Sequence, residues 1–372
     1  MKRRLKLKIR GESPRSVFLA IVLAKLKCDI YLFDFSKNSI SIKDNQTLLF
    51  SNSSKNLLSK FDIWNEIRDI SYGFTSLSIN DNLVSEQLLL RNKNLNNIGW
   101  SAKYSDIKSL LINYDNIYFI SKNQSFDQSL NFDYEFNFKD YDKSNHLCKL
   151  SLPFFKRKVE QIFIFNVYLR GHIEKRLYEI NTSKGFLVLT PLNKNLYQII
   201  WNNASIRLKE TSLSSKSLFL DNLTTLLPNE LKVDQIIGDI YLLNVNNIHS
   251  SYLIKNKSIY FNENKFKSNT IYDLSFDVII RNIILIYNFL DKNHPKRINI
   301  YNKFGFFYLL RRYLEVTINF SFFDFLLYLF KVNNIFILSI RKIIFISIKK
   351  INFIRKLFLD NIINSNINNL IK

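Results

Sequence analysis

Between residues 5 and 35 the spacing of apolar side chains changes twice. Leu5, Leu7 and Ile9 alternate with Lys6, Lys8 and Arg10, a period of two that predicts a strand with one face toward a core. After the polar stretch RGESPRS, the segment VFLAIVLAKLK puts Val17, Ala20, Ile21 and Ala24 at helical spacing. The run CDIYLFDF then reads as a second strand, its apolar residues ending at Asp34. Strand, tight turn, helix and strand make a βαβ opening. One detail sits badly with it. A first strand central to a parallel sheet is usually apolar on both faces, whereas this one alternates lysine with leucine.

Further along, TLLFSNSSKNLLSKFDIWNEI within residues 47–72 reads as a packing helix with serines available to cap it. Over residues 160–205 the pattern turns to short alternating runs, IFIFNVYLRG and FLVLTPLNKNLYQIIWNN, which predict an antiparallel sheet. Residues 259–290 return to strand, loop and helix, and 306–360 read as helical. At 372 residues the chain exceeds the roughly 250–300 at which a single core stops growing. The economical division is a discontinuous α/β domain from 1–75 and 235–305. A mixed region, 76–234, holds an inserted antiparallel domain at about 155–234, and 306–372 form a helical tail.

Composition narrows the function classes. With 47% hydrophobic and 15% aromatic residues, the chain can bury enough apolar surface to offset its conformational entropy. It holds only 7 glycines, against an average usage of about 7% of a chain, so any function needing several glycines is strained. A formal net charge of +22 points to an anionic partner surface, although abundant Asn, Ile, Lys, Phe and Tyr are also what AT-rich coding produces. Nucleic acid is not the expected partner, because no zinc-knuckle spacing, aromatic RNA-binding signature or compact basic recognition helix is present. Cys28 and Cys148 cannot form a disulfide framework, and His146, His172, His249 and His294 have no metal-ligand spacing. The apolar run Val17 to Ala24 meets Lys25 and Lys27 without a small-residue cleavage site, so it does not read as a secretion signal and cytoplasmic placement is expected.

Four segments carry a more specific pattern. Gly11, Ser13, Pro14 and Ser16, followed by Ala20 and Ala24, match a G-x-G-P-x-G turn, and Asp34 closes the strand after it. Asp44, Thr47, Leu49 and Ser51 match D-x-R-x-x-A-L-S with Gln46 in the arginine's place, running on into NLLSKFDIWNEI. In YEINTSKGFLVLTPLNKNLYQIIW, the residues Gly185, Leu189, Pro191, Leu192 and Trp201 match E-x-F-x-x-x-G-P-x-A-x-L-P-L and a V-W strand end. The segment IYFNENKFKSNTIYDLSFD aligns with G-D-A-A-H-x-x-x-P-x-x-G-Q-G-x-N. There Asn262 and Glu263 stand for Gly and Asp, Thr270 for Pro, Asp273 and Ser275 for glycines, and Asp277 for Asn. Asp140 with Tyr141 stands where an Asp-Gly pair is usual. In this order the segments resemble the flavin hydroxylases that modify the ubiquinone ring, a branch of the group A aromatic hydroxylases, along almost the whole chain.

That resemblance implies an α/β fold: a Rossmann-like FAD-binding domain of the flavin hydroxylase type with an inserted antiparallel β-sheet substrate domain and a C-terminal helical tail. It implies FAD as cofactor, held by Gly11, Ser13, Pro14, Ser16, Asp34, Gln46, Glu263, Asp273 and Ser275. NAD(P)H would serve as reductant, and oxygen would hydroxylate a polyprenylated phenol. No side chain is thereby assigned a catalytic role, because the chemistry belongs to the flavin. In a dinucleotide fold the three glycines allow the tight turn, the approach of backbone to pyrophosphate and close helix packing. Here only the first survives; Ser13 puts a side chain where phosphate comes closest, and Ser16 crowds helix against strand. Asp273 adds a negative charge where the resemblance puts a helix N-terminus toward reduced flavin, and Glu263 is one methylene longer than the ribitol-binding Asp.

The tail suggests a surface. Residues 331–356 hold Lys331, Arg341, Lys342, Lys349, Lys350, Arg355 and Lys356 with no acid, among Ile, Phe and Leu. Lys331, Lys342, Lys349 and Lys356 recur near whole helical turns and share one face of a continuous helix. No apolar run reaches the roughly 18 residues needed to span a bilayer, so an in-plane helix on an anionic membrane is expected, with Lys331, Lys342, Lys349, Lys350 and Lys356 in contact. The bland alternative is a solvated face on a packed helix. Two functions stay open. One is a peripheral FAD-dependent monooxygenase of ubiquinone biosynthesis at the inner membrane surface. The other is a flavin-free, non-catalytic relative that binds a prenylated phenol or quinone lipid or supports other ubiquinone-biosynthesis proteins.

Overall fold

A computed structural model describes residues 4–26, 28–35, 46–92, 94–120, 131–138, 160–170, 174–202, 216–245, 252–255, 258–261, 274–293, 329–330 and 334–364. The opening is the expected βαβ unit: β1 (Leu5–Arg10), α1 (Pro14–Ala24) and β2 (Cys28–Phe33), with β1 and β2 parallel. Next come β3 (Thr47–Ser51), α2 (Asn52–Ser59), α3 (Trp64–Asp69) and β4 (Tyr72–Phe74). The hairpin β5 (Ser76–Asp81) and β6 (Glu86–Arg91) precedes β7 (Gly99–Lys103), α4 (Tyr104–Ser109), β8 (Ile117–Ile120) and β9 (Tyr134–Asn137). Four strands follow, β10 (Glu160–Arg170), β11 (Arg176–Thr182), β12 (Gly185–Pro191) and β13 (Leu196–Asn202), then α5 (Lys216–Thr224) and β14 (Lys232–Val245). The chain closes with β15 (Tyr252–Lys255), β16 (Ser258–Phe261), α6 (Leu274–Asn293), α7 (Ile335–Lys350) and α8 (Asn352–Asn364).

These strands form three sheets. The first, in the order β15-β16-β9-β1-β2-β8, is parallel except at β15 and is the Rossmann-like core. Strand β1 is central, and the burial of Leu7 and Ile9 under α1 explains one half of its alternation. The other half has its own lining. The Lys8 ammonium lies 3.5 Å from Glu135 and over the rings of Phe33 (5.2 Å) and Phe132 (5.3 Å), so its stem and charge are both accommodated beside aromatic faces. A central strand therefore tolerates lysine where its second face is a mixed cationic and aromatic layer. On the first face α1 is buried from Arg15 through Leu23, packed among sheet residues and Ile279, Ile280, Ile283 and Ile286 of α6.

The second sheet has the order β14-β10-β13-β12-β11-β5-β6 and is antiparallel apart from the β11–β5 pair. The alternating runs of residues 160–205 supply its middle, while the hairpin of 76–91 is recruited to one edge and β14 carries the other to Val245. Phe163, Phe165, Trp201 and Phe219 of α5 fill one side of this sheet. Leu77, Ile79, Leu88 and Ile164 fill the other, beneath Phe345 and Ile348 of α7. The third sheet, β3-β7-β4, is tied to the second where the Thr47 amide donates to the Gln198 side-chain oxygen at 2.9 Å and Ser101 Oγ donates to the Pro191 carbonyl.

The helix expected over residues 47–72 is corrected. Thr47–Ser51 is a strand paired with β7, with Leu48, Leu49 and Phe50 buried, and the helical part splits at Asp62, whose φ is 55°. The serine signal was sound: Ser51 caps α2 by accepting from the Ser54 amide at 3.2 Å.

Candidate functional site

The turn after β1 lies at the carboxyl end of the parallel sheet, where open α/β folds bind their ligands. Gly11 has a φ of 100°, a left-handed conformation that costs a side-chain-bearing residue energy, and its amide donates to the Phe33 carbonyl at 3.2 Å. This bond seats the turn against the end of β2, beside Asp34. Pro14 occupies the first helical turn, where its missing N–H costs nothing.

Ser13 is the N-cap of α1 and closes a reciprocal box with Ser16. The Ser16 amide donates to Ser13 Oγ at 3.2 Å, the Ser13 amide donates to Ser16 Oγ at 2.9 Å, and Ser16 Oγ donates to the Ser13 carbonyl at 2.9 Å. Both serines are buried. The Val17 amide donates to the Ser13 carbonyl at 3.1 Å. A helix N-terminus binds an anion by offering it unsatisfied amides. Here Pro14 has no amide proton, and those of Ser13, Ser16 and Val17 are directed within the chain. Ser16 does not simply crowd the helix against the strand, as the sequence led us to expect; its hydroxyl completes the cap.

The charges around the turn are also matched internally. Glu12 pairs with Lys108 in the last turn of α4, and Arg10 Nε lies 3.5 Å from Asp34 Oδ2. Asp34, expected on a ribose, has a φ of 64° and stands beside this guanidinium. A dinucleotide pyrophosphate would thus meet a turn whose Ser13 and Ser16 amides are already engaged. Each displaced hydrogen bond contributes about 0.5–1.5 kcal/mol. Ser13 and Ser16 therefore fit the pyrophosphate of FAD less well than glycines at these positions would.

The remaining predicted residues are dispersed. Gln46 enters the three-stranded sheet, its carbonyl accepting from the Tyr104 amide at 2.8 Å. Ser275 lies in the first turn of α6. Glu263, Asp273, Asp140 and Lys331 fall outside the described residues. The best-matched segment is core: Gly185 starts β12 with a φ of 120°, and Leu189, Pro191 and Trp201 are buried in the large sheet.

The basic stripe is not one face of one helix. Strand-like backbone at Ile351 (φ −97°, ψ 102°) ends α7, so Lys356 belongs to α8, and Lys349 is paired with Glu86 of β6. Lys342, Lys350 and Lys356 are exposed. Sequence reading missed the inward member of this segment, Arg341, which is buried and bonded to Asp81. Its placement on the face opposite Lys342 and Ile343 was the available signal.

The fold is an α/β architecture shared with solved FAD-dependent monooxygenases and flavin-dependent halogenases. The chain superposes on p-nitrophenol 4-monooxygenase PnpA of Pseudomonas putida with a TM-score of 0.68 and 13% identity, over 98% of this chain and 99% of that one. It superposes on PqsL, a probable FAD-dependent monooxygenase of Pseudomonas aeruginosa, with a TM-score of 0.63 and 8% identity, over 87% and 95% of the two chains. The flavin-dependent halogenase CmlS gives 0.60 and 10%, over 85% of this chain and 62% of that chain. No protein-family model and no curated protein sequence matches. Among the described residues, no helix is long and apolar enough to cross a membrane.

Proposed function

We propose that this chain keeps the hydroxylase fold without a firmly held flavin, and acts as a non-catalytic accessory protein of ubiquinone biosynthesis. In this reading it binds a polyprenylated phenol or quinone lipid and supports a partner hydroxylase. The observation that carries it is the closed Ser13–Ser16 box at the turn where FAD would place its pyrophosphate. The retained large sheet supports the lipid part, since its best-matched segment resembles the substrate side of ubiquinone-ring hydroxylases. The phenol named for the Pseudomonas putida neighbour is of the same ring class.

The test is direct. Purified protein is expected to be colourless, to take up no added FAD in equilibrium dialysis, and to quench its tryptophan fluorescence on binding a short-chain prenylphenol in detergent. A yellow preparation with bound FAD overturns the proposal.

A second reading is favoured by the near-complete superposition on a monooxygenase. In it the chain hydroxylates the polyprenylated phenol with FAD, NAD(P)H and oxygen. Prenylphenol-dependent NAD(P)H oxidation, with a hydroxylated product seen by mass spectrometry, would establish that reading in place of the first.

A further inference from the structure

The outward side of α7 is not the side a helix ordinarily turns to water. At 100° per residue, Ile335, Phe336, Ser339, Lys342, Ile343 and Lys350 fall on one side of the helix, and Arg341, Phe345 and Ile348 on the other. The inner three are buried against the β5–β6 hairpin and the sheet beyond it. On the outer side Ile335 is 81% exposed, Phe336 71% and Ile343 62%. The exposed apolar surface continues past the bend, where Ile351 is 47% and Phe353 72% exposed. Single exposed apolar residues need no explanation, but a run of five along one helix and its corner does.

What covers such a face is set by the charges among which it stands. Residues 334–356 contain no acid, and the exposed Lys342, Lys350 and Lys356 intersperse with the apolar residues. The whole chain carries +22. A nucleic acid would use the lysines and leave the isoleucines and phenylalanines in contact with a polar backbone. A bilayer of anionic lipid uses both, because apolar side chains enter between the headgroups while lysines extend along them to phosphate. Neither α7 nor α8 is long enough to cross a bilayer, so the contact is in plane.

We propose that the α7–α8 corner docks on an anionic lipid bilayer, with Ile335, Phe336, Ile343 and Phe353 entering the headgroup layer and Lys342 and Lys350 binding lipid phosphates. This revises the lysine-only stripe of the sequence. Lys349 is held by Glu86, and the apolar residues carry the binding that salt does not remove.

The test uses the full chain sedimented with vesicles of phosphatidylcholine alone or with phosphatidylglycerol added. Binding is expected to be stronger on the anionic vesicles, and K342Q/K350Q to weaken it by on the order of tenfold. F336S/I343S is expected to abolish the fraction that stays bound in high salt. These four positions are exposed, so circular dichroism should report unchanged folding. Wild type left in the supernatant, or both variants pelleting as wild type does, overturns the proposal. So does a salt-dependent shift of RNA or DNA without vesicle binding. None of these outcomes bears on the flavin reading, which is decided by absorbance and FAD uptake.

Discussion

Arg341 and Asp81, 260 residues apart, form an ion pair of 3.0 Å in which both side chains are almost wholly buried. The pair joins α7 to the end of β5, and thereby fastens the C-terminal helices to the large sheet. The guanidinium also stands 5.9 Å from the Phe330 ring and 3.5 Å from the Phe330 carbonyl.

Removing one member leaves the other charged and buried, which costs about 3–5 kcal/mol. R341M and D81N are each expected to lower the midpoint of urea unfolding by that amount, whereas D81L/R341M should recover most of the loss. A double variant no more stable than the singles would show that the pair is not the fastening.

At the turn, S13A should cost about 1 kcal/mol in thermal or denaturant unfolding by opening the cap of α1. S13G/S16G, which places glycine at both positions and frees the amides, is expected to take up more FAD than wild type. Fluorescence titration with FAD measures it. If the double glycine variant gains nothing while remaining folded, the box is not what excludes the cofactor.

The Glu174 carboxyl is held below its ordinary value by hydrogen bonds from Arg176 and then Arg91. The unfolded chain therefore binds this proton more readily than the folded one. The stabilisation is complete above the ordinary carboxylate value and is lost as pH falls through the lower folded value. Glu174 is partly exposed, so the effect is small. E174Q should lower stability slightly at neutral pH, where the contribution is complete, and leave it unchanged at acid pH, so that the acid limb of a plot of stability against pH flattens.

Burial pushes the Cys28 thiol up to about 12, with the neighbouring Asp29 carboxylate adding to the shift. Its Sγ also donates to the Leu23 carbonyl at 3.1 Å. Maleimide labelling mapped by mass spectrometry should leave the Cys28 peptide unmodified at neutral pH until the protein is unfolded. Rapid labelling of native protein would show that α1 and β2 open readily.

Local pattern by itself determined the parts whose stability is set within a few residues. The period of two at Leu5–Ile9, the helical spacing from Val17, the left-handed turn at Gly11 and the serine caps at Ser13 and Ser51 are all dictated by near neighbours. So was the strand pattern of residues 160–205, because alternation shows which residues face a core whatever that core is made of. Tertiary structure decided the rest. Lys8 in a central strand makes sense only beside Glu135, Phe33 and Phe132, and the 76–91 hairpin joins the large sheet only because β11 pairs with β5. Asp34 was legible as the residue closing β2, but its partner Arg10 was not, and the split at Ile351 was hidden behind a lysine spacing that looked continuous. Periodicity records which side of an element is apolar. Which distant element covers that side, and which charge meets another there, depends on contacts between residues far apart in the chain, for which a single sequence has no local signal.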